Sequence, residues 1–499
     1  MQIKSHFKKG IFLFVLFIGF STVSFGQRDL TIEDAMNIAT EKSPNLLRYK
    51  MNMERSQLNL AARRAALKSQ FSLDLNPVSY SKNRSFESRV SEWYTNERFN
   101  SAGTFRVDQP IALTDGTLSL INTFGWQHNN SDQANGISTS NQAFSNSLYL
   151  RLNQPIFTYN RTKVELTQLQ HSLENSYIDY ALQRLNTESQ ITTQFYNVYM
   201  SQQSLEIRKD ELVNAQQNYD IIKNKVDVDL AAKGELFQAE LNLLTARSSV
   251  DEGKVSLENG KDQLKQTIGM SLDEDFVVKT EISDIETLLI DQRKAISYGL
   301  SSRLELRQRE IDSENLEFTM IQTKAQNEFN GNVSLSVGIM GDHKRFENIY
   351  ETPTQNPQVA VSFSVPIFDW GANKARVKAQ KVAQNVAEIQ TESEKTSIEL
   401  NIRRTCRNLN NLRTRIEIES QNVRNAQLTY DLNVLRYRQG DLTGMEMSQF
   451  QTQLSSRKIS YINALIEYKV ELLNLKILSL YDFEKDEAIV PLKDLIINE

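Results

Sequence analysis

Residues 152–164 read Leu-Asn-Gln-Pro-Ile-Phe-Thr-Tyr-Asn-Arg-Thr-Lys-Val, and residues 363–377 read Phe-Ser-Val-Pro-Ile-Phe-Asp-Trp-Gly-Ala-Asn-Lys-Ala-Arg-Val. Each stretch ends an alternating apolar and polar run at Pro-Ile-Phe and opens a long run with helical spacing. Pro155 and Pro366 therefore mark one strand-to-helix hinge twice in the chain, 211 residues apart. A repeat of this kind governs the fold ahead of any domain count taken from the length of 499 residues.

Working outward from the first hinge, Leu148, Leu150 and Leu152 alternate with Tyr149, Arg151 and Asn153 in a strand over 146–157. Further upstream, Phe71, Leu73 and Leu75 alternate with Ser72, Asp74 and Asn76. Residues 103–113 and 117–126 read as two strands around Thr114-Asp115-Gly116, a hairpin signal. Residues 128–142, rich in Asn, Ser and Gln, read as a loop. In the second half Val333, Leu335, Val337 and Ile339 alternate with small and polar residues, as do Val359, Val361, Phe363 and Val365.

Downstream of Pro155 no proline occurs until Pro353, which permits helices far longer than the usual ~11 residues. A helix from Tyr159 to Asp229 would extend roughly 105 Å at 1.5 Å per residue. It turns at 229–234 and returns to Gln266; its counterpart runs from the second hinge to Asn433, turns at 439–444 and returns through Leu480. Before the strands, Thr31 is an expected N-cap with Asp34 in the first turn, and a second helix follows Ser43-Pro44 to Leu67. Residues 285–325 read as helical.

The repeat holds residue by residue. At the 211-residue offset, Asn214-Ala215-Gln216-Gln217-Asn218-Tyr219-Asp220 falls on Asn425-Ala426-Gln427-Leu428-Thr429-Tyr430-Asp431, with five identities in seven, and Glu235 and Gln238 fall on Glu446 and Gln449. Upstream of the hinge the offset is about 260, which places Leu73 and Leu75 on Val333 and Leu335. The difference between 260 and 211 gives the first half about 49 extra residues between its strands, Asp115-Gly116 among them. They would add strands or form a cap.

The opening residues carry Lys4, Lys8 and Lys9, an apolar core over 11–20 and small residues Ser24 and Gly26, the pattern of a cleaved secretory signal. The expected organisation is a signal peptide over 1–26, a first repeat over 27–275 and a second over 276–481. The first holds strands at about 71–157 and a helical hairpin at 158–268; the second holds strands at about 331–368 and a hairpin at 369–480. A polar tail occupies 482–499. Without the three signal lysines, 54 of the 57 basic residues face 62 acidic ones, a net charge near −8 that favours no nucleic acid. The single cysteine, Cys406, lies in a helical pattern and reads as a buried, inert thiol.

Strands with one apolar and one polar face fit a transmembrane barrel, apolar to lipid and polar to lumen. Four to six of them do not close a barrel, which takes ~8 merely to enclose side chains, so several chains must share one. A soluble β-sandwich carrying long helices is the competing reading. Trp93, Tyr94, Trp126, Tyr159 and Trp370 stand near strand ends, where an interfacial girdle belongs. Tyr159 and Trp370 are the best placed, just past the two hinges, and Trp93 reads more simply as a loop-packing aromatic.

Leu30-Thr31-Ile32-Glu33-Asp34-Ala35-Met36, Ser43-Pro44-Asn45-Leu46, the two Pro-Ile-Phe hinges and the turns at 229–235 and 440–446 together resemble the TolC-like outer membrane efflux proteins, over nearly all of the chain after the signal. The resemblance implies a mainly α protein with a transmembrane β part, in which a long antiparallel α-helical barrel continues a β-barrel shared by three chains. It implies a homotrimer acting as passive exit duct of a tripartite efflux or type I secretion system, with a periplasmic adaptor and an inner membrane pump as partners. The tip residues Asp229, Leu230, Ala231, Gly234, Gly440, Asp441, Leu442 and Gly444 would then meet the adaptor. Glu446 and Gln449 fall on the two acidic positions that ring the family's aperture, although Gln449 is not acidic. Three facing copies of Glu446 would raise one another's pKa and attract cations; a solvated helix-start carboxylate is the plainer reading. Glu235, the repeat partner of Glu446, would line the aperture in the same way or brace the tip, and a solvated charge is its plainer reading.

The four histidines are scattered, and neither a phosphate-binding loop, a dinucleotide fingerprint nor a nucleophile elbow is present. No cofactor and no enzymatic step are expected. The alternative reading is a periplasmic coiled-coil adaptor or scaffold without a pore, which would show one helical hairpin in a β-rich domain rather than two equivalent ones.

Overall fold

The computed structural model describes residues 28–89, 91–133, 138–280, 288–439 and 441–489. The expected signal peptide, Gly440 and most of the tail lie outside them. The chain opens with strand β1 (Arg28–Leu30) and helices α1 (Ile32–Lys42) and α2 (Pro44–Ala66). Four long strands follow, β2 (Gln70–Glu87), β3 (Glu92–Ile111), β4 (Gly116–Gln133) and β5 (Ser138–Ile156), then helices α3 (Arg161–Asp227) and α4 (Lys233–Ile268). The second half comprises β6 (Phe276–Val278), α5 (Gln292–Ser302), α6 (Leu304–Ala325), β7 (Asn330–His343), β8 (Thr354–Gln355), β9 (Gln358–Ser364), α7 (Ala372–Gln439) and α8 (Gly444–Ser479). Two short strands, β10 (Tyr481–Asp482) and β11 (Glu487–Ala488), end the described chain.

The element starts carry the repeat. α1, α2 and β2 begin at 32, 44 and 70, and α5, α6 and β7 begin 260 residues later at 292, 304 and 330. α3 and α4 begin at 161 and 233, and α7 and α8 begin 211 residues later at 372 and 444. The extra length of the first half lies in the sheet, as the hairpin β3–β4.

Two compact units form, each drawing on both sequence halves. The first comprises the described residues within 1–43, 191–284 and 432–455. Its core joins β1, paired in parallel with β6, to α1 and α4 through buried Leu30, Ala35, Ala39, Leu264, Ile268 and Phe276. Gln202 brackets the β6 backbone, accepting from the Val278 amide at 2.9 Å and donating to its carbonyl at 3.2 Å. The expected cap of α1 is present as a full capping box between Thr31 and Asp34.

The second unit comprises 44–190, 285–431 and the described residues from 456 onward. Ile178 and Ala181 of α3 pack against Leu304 and Ile311 of α6, and Ile398, Ile402, Cys406, Leu409 and Leu475 are buried along α7 and α8. Cys406 is a free, buried thiol whose pKa burial pushes up to about 11, as the helical pattern anticipated. The described start of the polar tail is docked: Asp486 accepts from Lys294 Nζ of α5 at 2.7 Å and from Tyr481 Oη at 2.6 Å. The same unit holds the sheet, in the order β2-β3-β4-β5-β7-β8, with β9 also on β7. All its pairings are antiparallel.

Two readings are corrected. Residues 128–142 are not a loop, since β4 runs to Gln133 and β5 begins at Ser138. Their strands are polar on both faces, which hides the alternation, while the ladder persists from His128↔Gln142 to Asp132↔Ser138. The helical stretch read over 285–325 begins only at Gln292 among the described residues, and it is divided: α5 stops at Ser302 and α6 starts at Leu304 around extended Arg303 (φ −65°, ψ 127°). The first half breaks at the matching Ser43-Pro44, but no proline signals it here.

Candidate functional site

Side chains of successive strand residues point to opposite faces, so the registers sort the sheet into two surfaces. On one face the ladder aligns Phe71, Val107, Leu120, Leu150 and Val337 across five strands. The adjacent rows carry Leu73, Phe105, Leu148 and Ile339, and Leu118, Leu152, Leu335 and Val359. Asn122 interrupts the apolar surface and donates to Asn146 at 3.0 Å on the same face. The opposite face carries Ser72 and Arg106, then Asp74, Thr104, Thr123 and Ser147, then Asp108, Ser119, Arg151, Ser336 and Gln358. Ser119 donates to Asp108 at 2.5 Å there.

The apolar surface is open, whereas Ile121, in the Arg106 row of the reverse face, is buried. Phe71 is 70% exposed, Leu73 62%, Val337 61% and Val359 74%. Across described residues no helix is long and apolar enough to cross a membrane, and the rows of the sheet form an open apolar surface. Such a surface is stable only against another apolar phase.

Aromatic rings bound the apolar face at both ends. At one end Tyr80 lies 4.7 Å from Phe99, Trp126 stacks on His128 at 6.1 Å, and Phe124, Phe144 and Phe346 form a cluster 5.5–6.4 Å apart. Beyond it both faces turn polar, with Lys82, Glu97, Asn130 and Ser140 in one row and Ser81, Arg98, Asn129 and Asn141 in the next. Trp93 sits farther out still, against Phe86 at 5.4 Å near the end of the β2–β3 hairpin. At the other end Phe157, Phe329 and Phe363 follow one another at 5.3 and 5.4 Å, and Phe368 meets Trp370 at 4.8 Å. Trp370 is 91% exposed, whereas Tyr159 is half-buried. From Leu152 to Phe144 a strand takes about nine residues, the length that crosses a bilayer core when tilted.

The hinges solve one capping problem in two ways. Pro155 pairs with Asn332 as the penultimate residue of β5, where its missing donor costs nothing. Pro366 lies two residues past the end of β9. Asp369 then caps α7, accepting from the Gly371 amide at 2.9 Å and the Asn373 amide at 2.8 Å, while Gly371 takes a left-handed φ of 81°. The equivalent position before α3 is Thr158. There the cap arrives from elsewhere: Asp115, in the turn between β3 and β4, accepts from the Thr162 amide at 3.0 Å and its hydroxyl at 2.5 Å. Asn160 accepts from the Lys163 amide at 2.8 Å. Sequence reasoning marked Asp115 only as a turn residue, because its partner lies 47 residues away.

The far ends of the helices form matched turns. Asp229 has a φ of 59°, the Leu230 amide donates to the Lys225 carbonyl at 2.7 Å and the Asp229 amide to Val226 at 3.0 Å, a Schellman closure. The Asp441 amide reaches the Arg436 carbonyl at 3.0 Å in the same way. The following helix starts differ. Thr443 and Glu446 form a capping box: the Thr443 amide and hydroxyl each donate to Glu446 Oε2 at 2.9 Å, and the Glu446 amide donates back at 3.3 Å. Those bonds, the amide first, hold the Glu446 carboxyl below the usual carboxylate range. Ala232 occupies the Thr443 position before α4 and offers no side-chain cap to the turn of Glu235. Tyr437, on α7, donates to Asn218 Oδ1 of α3 at 2.5 Å. Val228, Leu230 and Phe237 around the first turn are exposed, as are Gly234 and Asp441; Ala231, Leu442 and Gly444 are half-buried, and Gln449 is exposed on α8.

Residues 116–270 and 320–478 match the sequence profile of the family described as outer membrane efflux protein. No curated protein matches the chain. Among solved structures, the fold is similar to the Campylobacter jejuni CmeC outer membrane channel, with a TM-score of 0.69 and 15% identity over 93% of this chain and 88% of that one. It is similar to the Neisseria gonorrhoeae MtrE outer membrane channel in its open state (0.65, 15%, over 90% and 88%). It is also similar to the Vibrio cholerae outer membrane protein VceC (0.64, 12%, over 89% and 94%).

Proposed function

The chain belongs to the outer membrane efflux protein family, and on that premise we propose that it is the passive exit duct of a tripartite efflux or type I secretion system. Three copies share one β-barrel in the outer membrane, and their helices continue it as a periplasmic tunnel. The observation that carries this reading is the uncovered sheet: an apolar face about one bilayer core tall, bounded by aromatic rings, with a polar reverse face. Lipid is the solvent that the first face needs, and water in a lumen suits the second. Pro155 and Pro366, with Tyr159, Trp370 and Trp126, mark its two boundaries. The repeats 27–275 and 276–481 each give one hinge and one helical hairpin to the tunnel. An adaptor-type scaffold has no use for the open apolar sheet, and the family is one of transport proteins.

The turns that hold Asp229, Leu230, Ala231, Gly234, Gly440, Asp441, Leu442 and Gly444 are the docking points for a periplasmic adaptor, which in turn engages an inner membrane pump. Exposed Val228, Leu230 and Phe237 offer that partner an apolar grip. Glu446, with Gln449 and Glu235 near it in the repeat, lines the aperture. Its capping bonds lower its pKa, and mutual repulsion among three copies opposes that effect.

Membrane fractionation tests the reading most directly. The protein should sediment with outer membranes as a trimer that resists mild detergent, and a soluble monomer would overturn the proposal. The gate assignment stands or falls separately, on whether Glu446→Ala changes conductance and cation block in planar bilayers. Crosslinking from the two turns should capture an adaptor; failure to do so would remove the docking assignment.

A further inference from the structure

We infer that the β3–β4 hairpin is a barrel-widening insert, so that three chains together close a barrel of eighteen strands, six from each. The inference rests on the three-chain reading above, and the strand number is what it adds.

The first half contributes β2, β3, β4 and β5, and the second contributes β7 and the interrupted strand β8–β9, which occupies one edge of β7. β3 and β4 are full members of the sheet. They pair with their neighbours over nearly their whole length, from Gln70↔Asp108 to Glu87↔Glu92 on one side and from Thr117↔Asn153 to Asp132↔Ser138 on the other. They also carry the two-faced pattern across without a break: Val107 and Leu120 continue the apolar row between Phe71 and Leu150, and Arg106, Asp108 and Ser119 stay on the polar face. A cap folded over the pore would need neither. The hairpin is tied to the hinge as well, because its turn supplies Asp115 to the first turn of α3, where the chain has Thr158 in place of the self-capping Asp369.

The sheet leaves two edges unpaired, β2 and β9, and a second copy of this chain is the occupant that fits both. Every pairing is antiparallel and the strand positions number six, so β9 of one copy runs antiparallel to β2 of the next. Edge strands of soluble proteins carry charges or are covered; here residues 70–80 hold one charge, Asp74, and residues 358–364 hold none. All of 70–78 and all of β9 are exposed. Joining the edges places Val359, Val361 and Phe363 beside Phe71, Leu73 and Leu75 on the lipid face, so the apolar band closes on itself. Barrel diameter grows roughly linearly with strand number, and barrels of 16–18 strands enclose an aqueous channel. Eighteen strands make a lumen about one and a half times as wide as the twelve that remain without the hairpin.

Electron cryomicroscopy of the full chain in lipid nanodiscs counts the strands. A threefold ring of eighteen supports the inference. A threefold ring of twelve, with 92–133 outside the wall, overturns it and leaves the three-chain duct standing; the absence of any threefold barrel removes both. Disulfides give an independent reading. Ser72→Cys combined in turn with Ala360→Cys, Ser362→Cys or Ser364→Cys should yield covalent trimers. Asp74→Cys with Ser147→Cys should give no intrachain bond, since their row separates them by three strand spacings, about 14 Å, beyond disulfide reach. The reverse pattern means that β2 abuts β5 and refutes the insert. Deleting 92–137 while adding Thr158→Asp keeps β2 antiparallel to β5 and restores a cap, and should narrow the lumen to about two-thirds of its width. An unchanged width in a folded deletion protein contradicts the inference.

Discussion

Replacing Leu150 by arginine should cost about 2–4 kcal/mol of membrane insertion. Leu150 stands in the central apolar row, flanked by Leu120 and Val337, six residues along its strand from Phe144 of the aromatic cluster and four from Gln154 at the other end of the same face. Its side chain is 41% exposed on a face with no covering layer, so an arginine there finds no carboxylate and must snorkel or thin the bilayer. Ser119→Arg is the control, since Ser119 occupies a neighbouring row on the opposite face, beside Asp108 at 2.5 Å; in a lumen it should cost less than about 1 kcal/mol. The assay is urea-controlled folding into phospholipid vesicles, followed by protease protection and heat-modifiable migration. Leu150→Arg should lower the folded-to-unfolded ratio by roughly thirtyfold to several-hundredfold relative to the unsubstituted chain, and Ser119→Arg by less than about fivefold. Equal folding of the two variants would refute the assignment of lipid and lumen faces, and with it the membrane reading of the sheet.

Asp115→Gly removes the cap on Thr162 while tolerating the left-handed backbone (φ 60°); it should speed exchange of the Thr162 amide roughly fivefold to thirtyfold, matching about 1–2 kcal/mol, whereas Asp115→Asn should leave it nearly unchanged. Tyr437→Phe deletes the bond to Asn218 at 2.5 Å and should loosen the helix ends, raising the open probability in planar bilayers about fivefold for a bond worth about 1 kcal/mol. Glu446 has a lowered pKa in the folded chain, so its capping contribution is present above the ordinary carboxylate value near ~4.3 and is lost as pH falls through the folded value. Amide exchange in the first turn of α8 should therefore accelerate on acidification, and Thr443→Val should abolish that acid dependence.

What the sequence made legible follows from where one force dominates. The hinges, the helix starts and the 211-residue register were readable because proline, helical periodicity and strand alternation agree at those places. Between Leu152 and Phe144, and in the strand segments paired with them, the strands could be read because apolar and polar residues alternate between the two faces of the sheet. Beyond Tyr80, Phe99 and His128 both faces carry polar residues, the alternation vanishes, and strands paired as regularly as any others look like a polar loop. The break at Arg303 is invisible locally, although the 260-residue offset from Ser43 foretells it. The capping box of Thr443 and Glu446 was legible in principle as Thr-Gly-Met-Glu, whereas Asp115 capping α3 was not, because no local pattern announces a partner 47 residues distant.

The two halves of the chain diverge where their tasks diverge. Both keep the length from hinge to turn: α3 with α4 and α7 with α8 hold their starts 211 residues apart. Strand number is free to differ, because an antiparallel pair can be added to a sheet without changing the direction of any other strand. The inserted hairpin exploits that freedom, and the hinge has adjusted to it: the half without the hairpin caps its helix with Asp369, and the half with it has Thr158 there and takes its carboxylate from Asp115. Asn160 caps the Lys163 amide locally and Asp115 the Thr162 amide, so the first hinge shares its cap with the hairpin and the insert is bound to the helix it precedes as well as to the strands it separates.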